Sequence, residues 1–160
     1  MKTLVAVVGG GVCSDAEAAL AREVGARLAE AGIGVVCGGG GGVMAAACEG
    51  ARRAGGLTIG ILPGNSRTEA NPWVDIALPT GLGEARNILI VRCARAVIAI
   101  GGEFGTLSEI AFALKLGSPV IGLDTWELHK HGQPLPAIQV VTTATEAATA
   151  AQNALCNPGN

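Results

Sequence analysis

The sequence predicts an α/β fold in a single domain, with one doubly wound parallel sheet and helices on both faces. Three observations carry the prediction. Short apolar runs alternate with helical patterns along the chain. The runs are too uniformly apolar for strands with one face in water, so they suit strands buried on both faces. Glycine clusters sit at the ends of those runs, where strand gives way to helix. Strand–helix alternation implies right-handed βαβ crossovers within one sheet. At 160 residues the chain has the size of one domain. No linker composition divides it, so residues 1–156 are read as that domain and 157–160 as a frayed tail.

The elements follow in order. Leu4 to Val8 is the first strand, ended by Gly9-Gly10-Gly11. Ser14-Asp15-Ala16-Glu17 has the capping-box pattern, with Ser as N-cap and Glu three residues on. The helix it opens carries Leu20, Val24 and Leu28 on one face, and Gly32 stops it. Ile33 to Cys37 is the second strand, Gly38 to Gly42 a glycine run, and Val43 to Ala54 a helix closed by Gly55-Gly56. Leu57 to Ile61 is the third strand; a polar loop from Pro63 leads to a short strand at Val74 to Leu78. A helix is placed from Glu84 to Arg95, a buried strand at Ala96 to Ile100, and a helix from Leu107 to Leu116. Val120 to Leu123 is another strand. The stretch from Asp124 to Pro136 reads as loop or short irregular helix, before a last strand at Ile138 to Val141 and a last helix at Thr145 to Leu155.

Composition excludes several function classes. The net charge of −2 offers no basic field for nucleic acid. Aromatic residues make up 2% with no tyrosine, which argues against stacking on nucleic-acid bases. No apolar run reaches the roughly 18 residues of a membrane span, and the N-terminus lacks the shape of a signal peptide. A cytoplasmic protein is expected. The five cysteines, Cys13, Cys37, Cys48, Cys93 and Cys156, form no Cys-x-x-Cys and are read as reduced thiols, mostly small buried hydrophobes. His129 and His131 have no set of partners at metal-ligand spacing, so no metal is expected.

Glycine is the functional clue. The chain has 25, and three strands end in glycine: after Val8, after Cys37 and after Ile100. In a parallel sheet all three loops open on the edge where such sheets bind ligands. Glycine lets backbone approach a ligand, and helix N-termini offer free N–H groups to anions. The residues expected to bind are Gly9, Gly10, Gly11, Gly38, Gly39, Gly40, Gly41, Gly42, Gly102, Gly105 and Thr106. The competing reading makes these loops tight turns alone, though five consecutive glycines exceed what a turn needs. No loop contains the lysine of a P-loop, and none is a clean Gly-x-Gly-x-x-Gly.

Gly101-Gly102-Glu103-Phe104-Gly105-Thr106-Leu107-Ser108-Glu109 resembles the Pro-Gly-Gly-x-Gly-Thr-x-x-Glu motif of the Lonely Guy (LOG) phosphoribohydrolases, the lysine-decarboxylase-like group of Rossmann-like proteins. Gly38 to Met44 is similar to that family's Gly-Gly-Gly-x-x-Gly-Leu-Met loop, and Pro63-Gly64 to its proline turn. Arg86 stands fifteen positions before Gly101, the distance of the family's catalytic arginine from its motif proline. The resemblance covers residues 3–123 and looks closest to the short branch of molybdenum cofactor carrier proteins. There are departures. Gly101 replaces the motif proline, Glu103 a glycine, and Glu84 and Asn87 stand where the family has His and Lys.

Two functions follow from the resemblance. One is a binding protein for a phosphate-bearing, nucleotide-like cofactor, with molybdenum cofactor or a nucleoside monophosphate as ligand. The other is a phosphoribohydrolase with Arg86 and Glu109 as catalytic residues. Each residue also has a plainer reading. Thr106-Leu107-Ser108-Glu109 is itself a capping-box pattern, and Arg86 can be a solvated arginine. Related proteins self-associate, so a homo-oligomer is expected, with the Glu84–Arg95 helix near the interface.

Overall fold

The computed structural model describes residues 2–156. Seven parallel strands form the sheet: β1 (Leu4–Gly9), β2 (Gly34–Cys37), β3 (Thr58–Leu62), β4 (Ile76–Pro79), β5 (Val97–Ile100), β6 (Val120–Leu123) and β9 (Gln139–Val141). Their spatial order is β4-β3-β2-β1-β5-β6-β9. The three strands read as most apolar, β1, β2 and β5, are all interior, and their glycine ends share one edge. The seven strands and their helices form the Rossmann-like α/β fold expected from the alternation. The expected frayed tail, 157–160, lies outside the described residues.

Five helices cover the two faces. Helices α1 (Asp15–Glu30), α2 (Gly42–Arg53) and α5 (Ala144–Cys156) bury Val24, Leu28, Ala47 and Ala147 against Val5, Val7, Val35 and Ile98 on one face. Helices α3 (Asn87–Cys93) and α4 (Phe104–Lys115) bury Ile90, Val91, Ile110 and Ala113 against Ala6, Val8, Val36 and Ala99 on the other. The alternation of odd and even strand residues between two cores is the consequence of period-two side chains in strands buried on both sides.

The capping box at α1 forms as read: Glu17 N–H donates to Ser14 Oγ at 3.1 Å, and Ser14 N–H donates to Glu17 Oε2 at 2.7 Å. Elsewhere the local readings shift. Helix α4 begins at Phe104, three residues before the expected Leu107, because Glu103 takes the extended N-cap conformation after the two left-handed residues Gly101 (φ +51°) and Gly102 (φ +95°). Glu109 therefore lies well inside the helix, and the Thr106–Glu109 capping box does not form. The expected Glu84–Arg95 helix is split: a 3-10 turn at Gly83–Arg86 precedes α3, which ends at Cys93. The stretch 124–136 is neither loop nor helix throughout. It carries a small antiparallel ladder of β7 (His129–Lys130) and β8 (Gln133–Pro134). Its two-residue connection, His131 (φ +54°) and Gly132 (φ +76°), has the two left-handed residues of a tight hairpin turn. The cysteines are not mostly buried: Cys37 and Cys48 are, Cys13 is half-buried, and Cys93 and Cys156 are exposed.

Helices α1 and α2 approach so closely that each needs a glycine at the crossing. A Cβ on Gly25 would strike the Ala47 carbonyl, and one on Gly50 would strike the Arg22 carbonyl. The crossing is closed at its edge by Arg22 Nε donating to Glu49 Oε2 at 2.8 Å. Replacing Gly50 by Val is expected to lower the unfolding free energy by about 3 kcal/mol, despite the poor helix propensity of glycine. Gly105→Ala, where a Cβ meets nothing within 4 Å, is expected to leave stability unchanged or raise it by up to ~1 kcal/mol. Urea denaturation of both variants checks this.

Candidate functional site

Strands β1 and β5 lie side by side, but the chain leaves them in opposite directions. From β1 it crosses through α1 to β2; from β5 it crosses through α4 to β6. The two helices lie on opposite faces, so a crevice opens between the strand ends. A cleft of about 560 Å³ occupies it, within the usual size of a small-molecule site.

The floor is the turn after β1. Gly9, Gly10, Gly11 and Val12 line it. Gly9 has no room for a side chain, since a Cβ would lie 2.6 Å from both the Ile100 carbonyl and Val43. A Cβ on Gly11 meets nothing within 4 Å, so that glycine faces open cleft. One wall is the first turn of α4, with Glu103, Gly105 and Thr106. Leu107 N–H is an N–H of this helix that bonds back, to the Glu103 carbonyl at 3.0 Å, so the earlier N–H groups of the turn have no partner within the helix. The opposite wall is the 3-10 turn and the start of α3, with Glu84, Arg86 and Asn87, and Met44 of α2 closes the remaining side.

The structure thus brings Gly9, Gly10, Gly11, Gly105, Thr106, Arg86 and Glu109 together. Gly102 stands one step behind, lining an adjoining groove with Glu17, Glu103 and Asp124. The run from Gly38 to Gly42 does not line the cleft. Its carbonyls are taken: Gly38 by Arg86 Nη2 at 3.4 Å, Gly39 and Gly40 by Asn71 Nδ2 at 3.2 and 2.9 Å. Its far end packs against the first loop, where Val43 N–H donates to the Gly10 carbonyl at 3.0 Å. The second glycine loop supports the first, which is why it cannot carry side chains: a Cβ on Gly42 would strike the Gly10 carbonyl.

Asn87 is a site residue that the sequence reading treated only as a lost lysine. It is buried, accepts a hydrogen bond from Arg86 Nη1, and donates to Ser108 Oγ at 2.9 Å. Ser108 donates in turn to the Gly105 carbonyl at 2.6 Å. This relay ties the arginine wall to the α4 wall. A polar residue opening the apolar run Asn87-Ile88-Leu89-Ile90-Val91 was the available signal. Arg86 Nε is buried with no hydrogen-bond partner, a donor left unmatched by protein.

The departures from the motif also have local causes. Gly101 adopts φ +51° and its N–H donates to the Leu123 carbonyl at 3.0 Å. Proline can provide neither. Thr106 and Glu109 are both buried, and a Cβ on Gly102 would collide with the Thr106 side chain.

Glu109 is the electrostatic centre of the cleft. Burial pushes its carboxyl up to about 8, against the pull of the Arg86 guanidinium. At neutral pH it holds its proton. The folded protein keeps that proton between pH 4.5 and about 8 while the unfolded chain loses it, so this group subtracts stability as pH rises through that window. Glu109→Gln is therefore expected to match the parent protein below pH 4.5 and to exceed it near pH 8, by an amount on the order of a few kcal/mol. Thermal melts of both proteins across this range measure the difference; equal melting points at pH 8 would refute it.

Comparison with known proteins bears on this arrangement. An uncharacterized protein of Archaeoglobus fulgidus is 43% identical over 119 residues, which is 74% of this chain and 78% of that one. The molybdenum cofactor binding protein of Rippkaea orientalis has the same fold at 32% identity and a TM-score of 0.87, over 97% of this chain and 98% of its own. The molybdenum cofactor carrier protein of Chlamydomonas reinhardtii matches at 32% identity and 0.84, over 97% and 99%. The sequence profile of the SLOG cluster4 family matches residues 2–154, and the chain belongs to that family.

Proposed function

We propose that the protein binds a phosphate-bearing, nucleotide-like cofactor and holds it without transforming it, with molybdenum cofactor as the leading ligand. One observation carries the reading: the β1 glycine turn, the unpartnered N–H groups of the first α4 turn, and Arg86 converge on one cleft at the switch point of the sheet. The group fits the residues present. A phosphate takes the α4 N–H groups and the Arg86 guanidinium, whose Nε lacks a protein partner. Gly11 leaves open space beside it for the ring system. The two solved relatives that bind or carry molybdenum cofactor support this choice of ligand.

The reading as a carrier rests on charge. Glu84 and Glu103 line the cleft, and no lysine does. At an effective dielectric of about 20, one negative charge at ~6 Å opposes a phosphate charge by roughly 3 kcal/mol, on the order of a hundredfold in rate or binding. Backbone N–H groups at α4 still hold an anion under that opposition. The second reading, a LOG-type phosphoribohydrolase, is favoured by one specific observation: Arg86 and Glu109 do share the cleft. In that reaction Glu109 contacts the ribose and Arg86 steadies charge as the N-glycosidic bond breaks.

Free thiols and the absence, among the described residues, of a helix long and apolar enough to cross a membrane support a cytoplasmic carrier. Exposed Ile76, Leu78, Leu82 and Leu116 support self-association as a homo-oligomer; that the Glu84–Arg95 segment lies near the interface is proposed from the resemblance alone. Light scattering at micromolar concentration is expected to give at least a dimer; a monomer would count against it.

Mass spectrometry of the natively purified protein is expected to find a phosphorylated small molecule. Arg86→Ala should weaken its binding by about tenfold or more, and Gly11→Val should block the cleft while the protein stays folded. Nucleoside monophosphates are expected to release no base. Robust turnover abolished in both Glu109→Gln and Arg86→Ala would establish the phosphoribohydrolase instead.

A further inference from the structure

Behind the cleft, β2 and α2 bring two nucleophiles together. Cys37 ends β2, Cys48 lies on the face of α2 turned to the sheet, and both are buried, with their sulfurs 3.5 Å apart. Cys37 Sγ also accepts the Gly39 N–H at 3.3 Å. The hydrogen bond shared with Cys48, then the Gly39 N–H and the Arg86 guanidinium, hold the Cys37 thiol below its ordinary range against the cost of burial. Cys48 is pushed up, first by its bond to Cys37 and then by burial. The two shifts run in opposite directions, so Cys37 is the sulfur that gives up its proton more readily and Cys48 the one that keeps it.

We propose that Cys37 and Cys48 form a redox modification site, which a peroxide small enough to reach them converts into an intramolecular disulfide. Cys37 sulfur attacks one peroxide oxygen; the O–O bond breaks, and the leaving hydroxide departs as water by taking the proton that the Cys37 thiol gives up. Cys37 becomes a sulfenic acid. Cys48 sulfur then attacks the Cys37 sulfur, the S–O bond breaks, and the hydroxyl leaves as a second water with the Cys48 proton. The two sulfurs lose two electrons, and the peroxide gains two.

The sulfurs must approach by about 1.5 Å to reach the ~2.05 Å of a disulfide. The chain beside them carries no side chains to obstruct the approach, and the hydrogen bonds of the glycine run are what it has to shift. Cys37 is followed directly by Gly38 to Gly42, and α2, which starts at Gly42, has Gly41 as an N-cap with no side chain to anchor it. The movement has a consequence at the cleft. Gly38, next to Cys37, holds Arg86 through its carbonyl, and Gly39 and Gly40 hold Asn71. Drawing Cys37 toward α2 shifts the carbonyls that position Arg86. This inference stands independently of the ligand proposed above.

The test uses the full chain with Cys13, Cys93 and Cys156 changed to Ser, treated with hydrogen peroxide, then denatured and alkylated. Trypsin cuts after Arg27 and Arg52, so both cysteines fall in one peptide. The expected result is near-complete loss of both alkylatable thiols, with a peptide two hydrogens lighter than the reduced form, restored by dithiothreitol. In Cys37→Ser, or Cys37→Ala where the Ser variant is unfolded, Cys48 stays alkylatable. Amide hydrogen exchange at Gly38 to Gly41 changes on oxidation. Both thiols remaining alkylatable at peroxide levels that oxidise Cys93 in the parent chain would overturn the proposal. So would Cys37 running to sulfinic acid without a cross-link. A cross-link with unchanged exchange at Gly38 to Gly41 would overturn the connection to the cleft.

Discussion

The pairing of β1 with β5 at the middle of the sheet is the constraint on which the site depends. Adjacent parallel strands whose crossovers leave to opposite faces cannot have their carboxyl ends covered by either helix. Gly9 records how tight that junction is, wedged between the Ile100 carbonyl and Val43. With no side chain possible there, the turn after β1 presents bare backbone to the crevice, and α4 begins directly beside it. The cleft is the space that chain direction and right-handed crossovers leave unfilled.

Around that space the protein spends polar groups it would otherwise avoid burying. Asn87, Thr106 and Glu109 are buried at the cleft, and Arg86 has a guanidinium nitrogen without a partner. The Arg86–Asn87–Ser108–Gly105 relay makes the two walls one unit, so the first α4 turn and the arginine cannot move independently. Glu109 remains protonated because desolvation outweighs the attraction of Arg86. A neutral acid beside a single cation, with Glu84 and Glu103 at the rim, is the charge arrangement from which the proposed carrier reading is argued.

Much of this was legible in the chain, for reasons tied to particular residues. Continuous apolar runs at Leu4–Val8, Ile33–Cys37 and Ala96–Ile100 told of strands buried on both faces, and all three strands are interior. Ser14 and Glu17 announced the start of α1 because both capping partners are local in sequence. Local pattern failed where a distant contact sets the backbone. Thr106-x-x-Glu109 has the same capping spelling, yet the helix starts earlier. Gly101 is anchored through its N–H to β6, and Gly102 must stay clear of Thr106. The 3-10 turn that replaces the start of the expected Glu84–Arg95 helix holds Arg86, whose side chain reaches the Gly38 carbonyl 48 residues away.

By itself the sequence determined the fold class, the sheet's buried strands, and the presence of glycine loops on one edge, because apolar periodicity and glycine placement are local properties. Tertiary structure decided which of those loops lines the cleft. Gly38 to Gly42, the most conspicuous run, is consumed in supporting the β1 turn and in holding Arg86 and Asn71, while the modest Gly9-Gly10-Gly11 faces the cleft. It also decided that Glu109 is a buried acid and not a helix cap, and that Cys37 and Cys48, eleven residues apart, touch. These outcomes depend on which backbone carbonyls and side chains converge from separate strands, and no local pattern of residues encodes that convergence.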